Sequence, residues 1–240
     1  MPNQPPPHLF LGLDLGQRHD PAAIAILYRT VEPTGPFNHA TWEFERELHF
    51  RLCHTERLAL GTPYIEIVAR IRRLLEKLSA PLPGIHSYAG TAPSRTLVVD
   101  ASGVGRPVVE LIRKAGIAGT AALFGAKPGT GFSTGSGMGG TANAQARVTI
   151  APVTITSAGK PRLEATGEEF VSRRDLITNL RILLEKRLLK ISARIHDRDA
   201  LLKEFVQLQD RSGSHHDDLV MATALACWRA TRRLNLASPP

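Results

Sequence analysis

The sequence is poor in the residues that staple or anchor small proteins. Its two cysteines, Cys53 and Cys227, are too few for a disulfide scaffold. With no C-x-x-C and no H-E-x-x-H spacing, they do not build a zinc site alone. Aromatic residues make up only 5% of the chain, yet 42% of it is hydrophobic, so an ordinary core can form and overall disorder is excluded. No apolar run approaches the roughly 18 residues that span a bilayer. The opening MPNQPPPH lacks the basic-then-apolar order of a signal peptide. No G-x-x-x-x-G-K-[ST] occurs, and Lys127 in GAKPGT is followed by Pro128, so the glycine-rich stretch is not a Walker-type phosphate loop. These absences predict a soluble, intracellular chain with reduced thiols and no membrane partner.

What is present is positive charge. Thirty Lys and Arg face 22 Asp and Glu over 240 residues, a net of +8. The excess is uneven. Residues 170–240 hold 13 basic and 8 acidic residues, and residues 125–165 hold four basic residues and one acid. The remainder cancels. A basic excess leans toward a polyanionic partner, though it says nothing of the fold.

The pattern along the chain is that of an α/β protein. LFLGLDLG (9–16), AAIAILY (22–28) and TWEFEREL (41–48) read as three successive strands with short links, an antiparallel meander. A helix is expected from Pro63, with Thr62 as its cap and Ile67, Val68, Ile71, Leu74, Leu75 and Leu78 at helical spacing. TLVVD (96–100) is a strand ending in an acid. Pro107 opens a short helix that Gly116 ends, and TAALF (120–124) is strand-like. VTIAPVTIT (148–156) reads as a strand or a hairpin. Ser172 to Asp175 resembles a capping box ahead of a stripe of Leu176, Leu180, Leu183, Leu184 and Leu188. Helices are expected over 199–208 and 217–231. Residues 9–233 then form one domain, with unstructured ends at 1–8 and 234–240. Seven glycines within 125–140 predict a flexible loop at 125–147.

Three acidic positions stand out by their surroundings. Asp14 lies inside an apolar strand, Asp100 ends one, and Asp217 and Asp218 open an apolar helix after His215 and His216. Ionised carboxylates are costly to bury in such places, and a hard divalent cation offsets the cost. Acids gathered from separate elements suit a two-ion site on a phosphodiester. Each position also has a plain structural reading. Asp14 can bond turn amides, Asp100 can cap a helix, and Asp217 and Asp218 can serve a helix N-terminus.

LGLDLGQRHDPAAIAIL (11–27), LVVDASGVGRPVVELIRKAG (97–116), FVSRRDLITNLRILLEKRLLKIS (170–192) and SHHDDLVMATALACW (214–228), in this order, resemble the nuclease domain of tailed-phage terminase large subunits. That domain belongs to the RNase H-like, resolvase-like superfamily. The resemblance implies an α/β fold whose central mixed sheet, an antiparallel meander followed by parallel strands, is flanked by helices. It implies a DNA endonuclease with two Mg²⁺ or Mn²⁺ ions. Asp14 and Asp100 would share one ion. Asp14 and Asp218 would share the other, assisted by Asp217 or His215. His215 would orient the attacking water or move a proton. Lys127, Arg147, Lys160, Arg173 and Arg174 would track the backbone of double-stranded DNA. Arg173 and Arg174 sit in a helix's first turn, where the dipole disfavours cations, which favours a phosphate-facing role for them. A separate ATPase, terminase or portal subunit would be the protein partner. The setting would be the cytoplasm of a bacterial or phage-infected cell.

Other readings compete. A Holliday-junction resolvase of the same fold would use the same acids. An actin-like or sugar-kinase-like ATPase also begins with a sequence like LGLDLG, but needs a second D-x-G loop that ASGVG fits poorly. A binding module without catalysis leaves the acids unexplained, since they would repel phosphate.

Overall fold

The computed structural model describes residues 8–16, 20–39, 43–78, 94–117, 148–208 and 216–232. Residues 1–7 and 234–240 of the expected ends, the loop at 125–147, the strand at 120–124, and Lys127, Arg147 and His215 lie outside the described residues, whereas His8, expected in the unstructured end, opens the first strand. The architecture is α/β, as expected: a large mixed sheet with helices on both faces. Its strands are β1 (His8–Asp14), β2 (Ala23–Asn38), β3 (Glu43–Arg57), β4 (Ser94–Asp100), β5 (Val148–Thr156), β6 (Arg162–Leu163), β7 (Glu169–Ser172) and β8 (Leu189–Ile191). The helices are α1 (Tyr64–Lys77), α2 (Gly105–Lys114), α3 (Arg173–Glu185), α4 (Arg198–Gln207) and α5 (Asp218–Thr231). The sheet order is β6-β7-β5-β4-β1-β2-β3-β8. β1, β2 and β3 form the antiparallel meander, and β4, β5 and β7 add in parallel on the other side of β1. This arrangement is compatible with an RNase H-like fold.

The central strand explains the two-sided cover. In β1, Leu9, Leu11 and Leu13 face one way and pack with Ile67 and Ile71 of α1 and Val108 and Ile112 of α2. Phe10 faces the other way, into a cluster with Val98, Ala23, Ala25 and the apolar residues of α3 and α5. A strand buried on both faces reads as a continuous apolar run, not an alternation.

Several local expectations needed correction. β2 and β3 are about twice as long as the expected segments. The strands continue through a sequence with two prolines because the pairing absorbs an irregularity between Pro33 and Phe37. β3 continues to Arg57, burying Phe50 and Leu52. Residues 148–156 make one strand, not a hairpin, in parallel register with β4. Pro63 is the N-cap of α1 and not its first residue. The Thr62 hydroxyl turns back to the Ala59 carbonyl at 2.6 Å instead of capping the helix. α2 starts at Gly105, two residues before Pro107. A Cβ on Gly105 would stand 2.0 Å from the Asp100 carbonyl oxygen, so only glycine fits there. Gly116, at φ +69°, ends α2 as the pattern predicts. The Ser172 hydroxyl accepts the Asp175 amide at 3.1 Å, the first half of the capping box. α3 ends at Glu185, so Leu188 packs from beyond the helix.

Candidate active site

The site follows from how α5 lies on β1. Gly12 sits between Phe10 and Asp14 on the strand face that α5 covers. A Cβ there would fall 1.9 Å from the Ala222 carbonyl oxygen and 3.0 Å from the Ala226 nitrogen. Ala23 and Ala25 of β2 continue this low floor. Residues 218, 222 and 226 share one row of the helix. One turn back from Ala222 is Asp218, and two residues on from Gly12 is Asp14. Helix and strand therefore bring these two acids to the same end of the sheet. Asp100 arrives from the other side. β4 runs parallel to β1, with Leu13 opposite Val99 as the last pair. The next step sets Asp14 beside Asp100, at a strand spacing of about 4.8 Å.

The electrostatics match this crowding. Burial first, then the negative charges of Asp100, Asp218 and, more weakly, Asp20, push the Asp14 carboxyl well above its usual range; Arg173 opposes this. Burial raises Asp100 too, against the Ser102 amide that donates to its Oδ1 at 2.8 Å. Burial also raises Asp218, with Arg57 and His216 opposing and Asp20 assisting. Asp218 is only 5% exposed, and its Oδ2 has no hydrogen-bond partner among the described residues. Such an atom is expensive to leave so. Three carboxylates are the donor type a hard divalent cation takes, but among the described residues the group of three whose ligand atoms lie within 4.8 Å of one another is Asp20, His216 and Asp218.

The remaining predicted residues are placed as follows. Asp217 is the N-cap residue of α5. Its carboxylate forms an ion pair with Arg173, and its carbonyl starts α5 by accepting the Met221 amide at 2.8 Å. Arg173 is thus engaged with an acid at the cluster's edge. Arg174 is exposed in the first turn of α3, and Lys160 is exposed between β5 and β6.

Four residues escaped the sequence reading. His216 Nδ1 lies 4.0 Å from Asp218 Oδ2 and 3.5 Å from Asp20 Oδ1. Arg57 reaches in from the end of β3: its Nε stands 3.6 Å from Asp218 Oδ2, and its terminal nitrogen pairs with Glu204. Glu204 is buried and accepts the Val220 amide at 2.9 Å through its other oxygen, so it caps α5 from a neighbouring helix. Burial, the largest cause, pushes its carboxyl up to about 7. The signal for Glu204 was its place in the apolar row of Leu201 and Phe205 of α4 and Leu208 at its C-cap. Asp20 sits in a polar link, where nothing marks it.

No protein-family model matches the chain, and no curated protein or solved structure matches it.

Proposed function

We propose that this chain is a metal-dependent endonuclease that hydrolyses phosphodiester bonds of double-stranded DNA, in the manner of the terminase nuclease domain it resembles. The observation that carries the reading is the convergence of Asp14, Asp100 and Asp218 from three separate elements, in surroundings that raise all three carboxyls. Burial of all three carboxyls, and the charge that Asp100 and Asp218 bring to bear on Asp14, work against stability and are typical of sites built for chemistry.

Mg²⁺ or Mn²⁺, when bound, supplies Lewis-acid stabilisation of a phosphoryl oxygen and a nucleophile at neutral pH. Asp14, Asp100 and Asp218 would hold the ions. Asp14 is central, because both neighbouring acids act on it. The Ser102 amide donates to one Asp100 oxygen and fixes the carboxylate beside Asp14. Glu204 and Arg57 hold the start of α5, and so fix where Asp218 stands. Arg173 can exchange Asp217 for a phosphate oxygen of the bound strand, a favourable swap for a guanidinium. Arg174 and Lys160, with Lys127 and Arg147 of the glycine-rich segment, would follow the DNA backbone without reading sequence. A separate ATPase or portal subunit would deliver the DNA, in the cytoplasm of the cell that holds it.

The test is nicking of supercoiled plasmid in Mg²⁺ or Mn²⁺, with Asp100→Asn as control. The variant should lose about 100-fold or more of the wild-type rate. No nicking by wild type in either metal, at protein excess, would refute the reading. Preference for a four-way junction over linear duplex would move it to the resolvase class.

A further inference from the structure

Asp20, His216 and Asp218 form a triangle beside the three-acid cluster. One ligand atom from each lies within 4.8 Å of the other two. His216 Nδ1 is 3.5 Å from Asp20 Oδ1 and 4.0 Å from Asp218 Oδ2. These are long for ion pairs, since charge-assisted hydrogen bonds measure about 2.7–2.9 Å. They suit two ligands around one ion, which stand at most about 4.2 Å apart at bond lengths near 2.1 Å. Both edges that meet at His216 Nδ1 fall inside that limit, so one small cation can bridge the imidazole to either carboxylate.

A second observation points the same way. Asp218 is 5% exposed, and the oxygen it turns toward His216 has no hydrogen-bond partner among the described residues. Arg57 stands near but is committed to Glu204, and its Nε makes no hydrogen bond to that oxygen. Asp20 and His216 come from separate segments, one linking β1 to β2 and one preceding α5. Both are exposed, so water can complete a coordination shell.

The donor chemistry differs from that of Asp14 and Asp100. One nitrogen and two carboxylates favour a first-row transition ion, whereas Mg²⁺ prefers oxygen and near-ideal octahedral geometry. We infer that Asp20, His216 and Asp218 form a mixed nitrogen–oxygen cation site selective for ions such as Mn²⁺ over Mg²⁺. This deepens the nuclease reading, on which it rests for the use made of the ion. Asp218 is then shared: its charge acts on Asp14, and its Oδ2 lies 4.0 Å from the imidazole.

The experiment measures Mn²⁺ binding to the full chain by the loss of the free-ion electron paramagnetic resonance signal, with Mg²⁺ as competitor. Wild type, Asp20→Asn, His216→Ala and Asp100→Asn are compared, each checked for folding by thermal unfolding. His216→Ala and Asp20→Asn should each weaken one Mn²⁺ class about 10-fold or more and leave the Mg²⁺ affinity unchanged. Asp100→Asn should leave that class in place. The site is wrong if His216→Ala binds Mn²⁺ as wild type does, or if Mg²⁺ binding falls equally. The two proposals fail separately. Loss of Mn²⁺ binding in His216→Ala without any plasmid nicking by wild type would leave this site standing and remove the nuclease. Metal-dependent nicking by wild type, with Mn²⁺ binding indifferent to His216→Ala, would do the reverse.

Discussion

The two ends of α5 treat a buried carboxylate in opposite ways. At the C-terminal end, Glu169 of β7 is 1% exposed and fully surrounded by donors. Arg229 pairs with one oxygen, and Trp228 Nε1 and Arg232 Nε each approach the other at 3.3 Å. At the N-terminal end, Asp218 is nearly as buried, but its neighbours include the acids Asp14 and Asp20. One acid is satisfied by its own protein. The other is left with an oxygen that lacks a hydrogen bond. A buried carboxylate that fixes structure has its partners built in, while one that awaits a ligand does not.

Substitutions at the two ends should separate on this basis. Glu169→Ala leaves two arginines without their buried acid and should cost about 3–5 kcal/mol. That is a fall of roughly 10 °C in the thermal midpoint for a chain of this size. Nicking per folded molecule should be unchanged, and parallel measurement of melting and cleavage checks both. Gly12→Ala should come next, at about 1–3 kcal/mol, because the added methyl meets the α5 backbone. It should also reduce nicking in the folded fraction, by shifting Asp218 away from Asp14. Asp14→Asn should act in the opposite sense. Without metal it should raise stability by about 1 kcal/mol, or a few degrees, while abolishing nicking. A midpoint unchanged or lowered by Asp14→Asn would break the contrast between the two ends.

The smallest effect concerns pH. Glu204 holds its proton to about 7, against an ordinary value of 4.5. A carboxyl raised on folding stabilises fully below its unfolded value, and that contribution fades as pH rises through the folded value. Glu204 should therefore make wild-type stability decline between about pH 4.5 and 7. Glu204→Gln should flatten this slope, whatever it does to the absolute midpoint. Midpoints of both proteins across that range give the answer.

Much of this was readable in the residues. The meander, the α/β alternation and α5 follow from apolar runs, the parallel direction of the added strands from the resemblance, and Asp14, Asp100 and Asp218 announce themselves as charges where charge is costly. Pro33, Gly35 and Pro36 interrupt the strand pattern between β2 and β3, and only the pairing shows that the ribbon absorbs them. Arg57, Glu204 and His216 were missed for another reason. Arg57 meets Glu204 and Asp218, and His216 meets Asp20, across long stretches of sequence, and no local spacing encodes such contacts. Asp217, the N-cap ahead of α5, pairs with Arg173, a contact that no local spacing encodes either.

The bare floor at Gly12 also has a temporal meaning. Asp14 and Asp218 lie at opposite ends of the sequence, and only the docking of the last helix on the first strand unites them. During synthesis, a chain that has made its meander and β4 already displays Asp14 and Asp100 but not the third acid. Contacts of such long sequence separation form late. Assembly of the cluster is therefore coupled to completion of the fold, and a nascent or C-terminally cut chain would carry the acids without the centre.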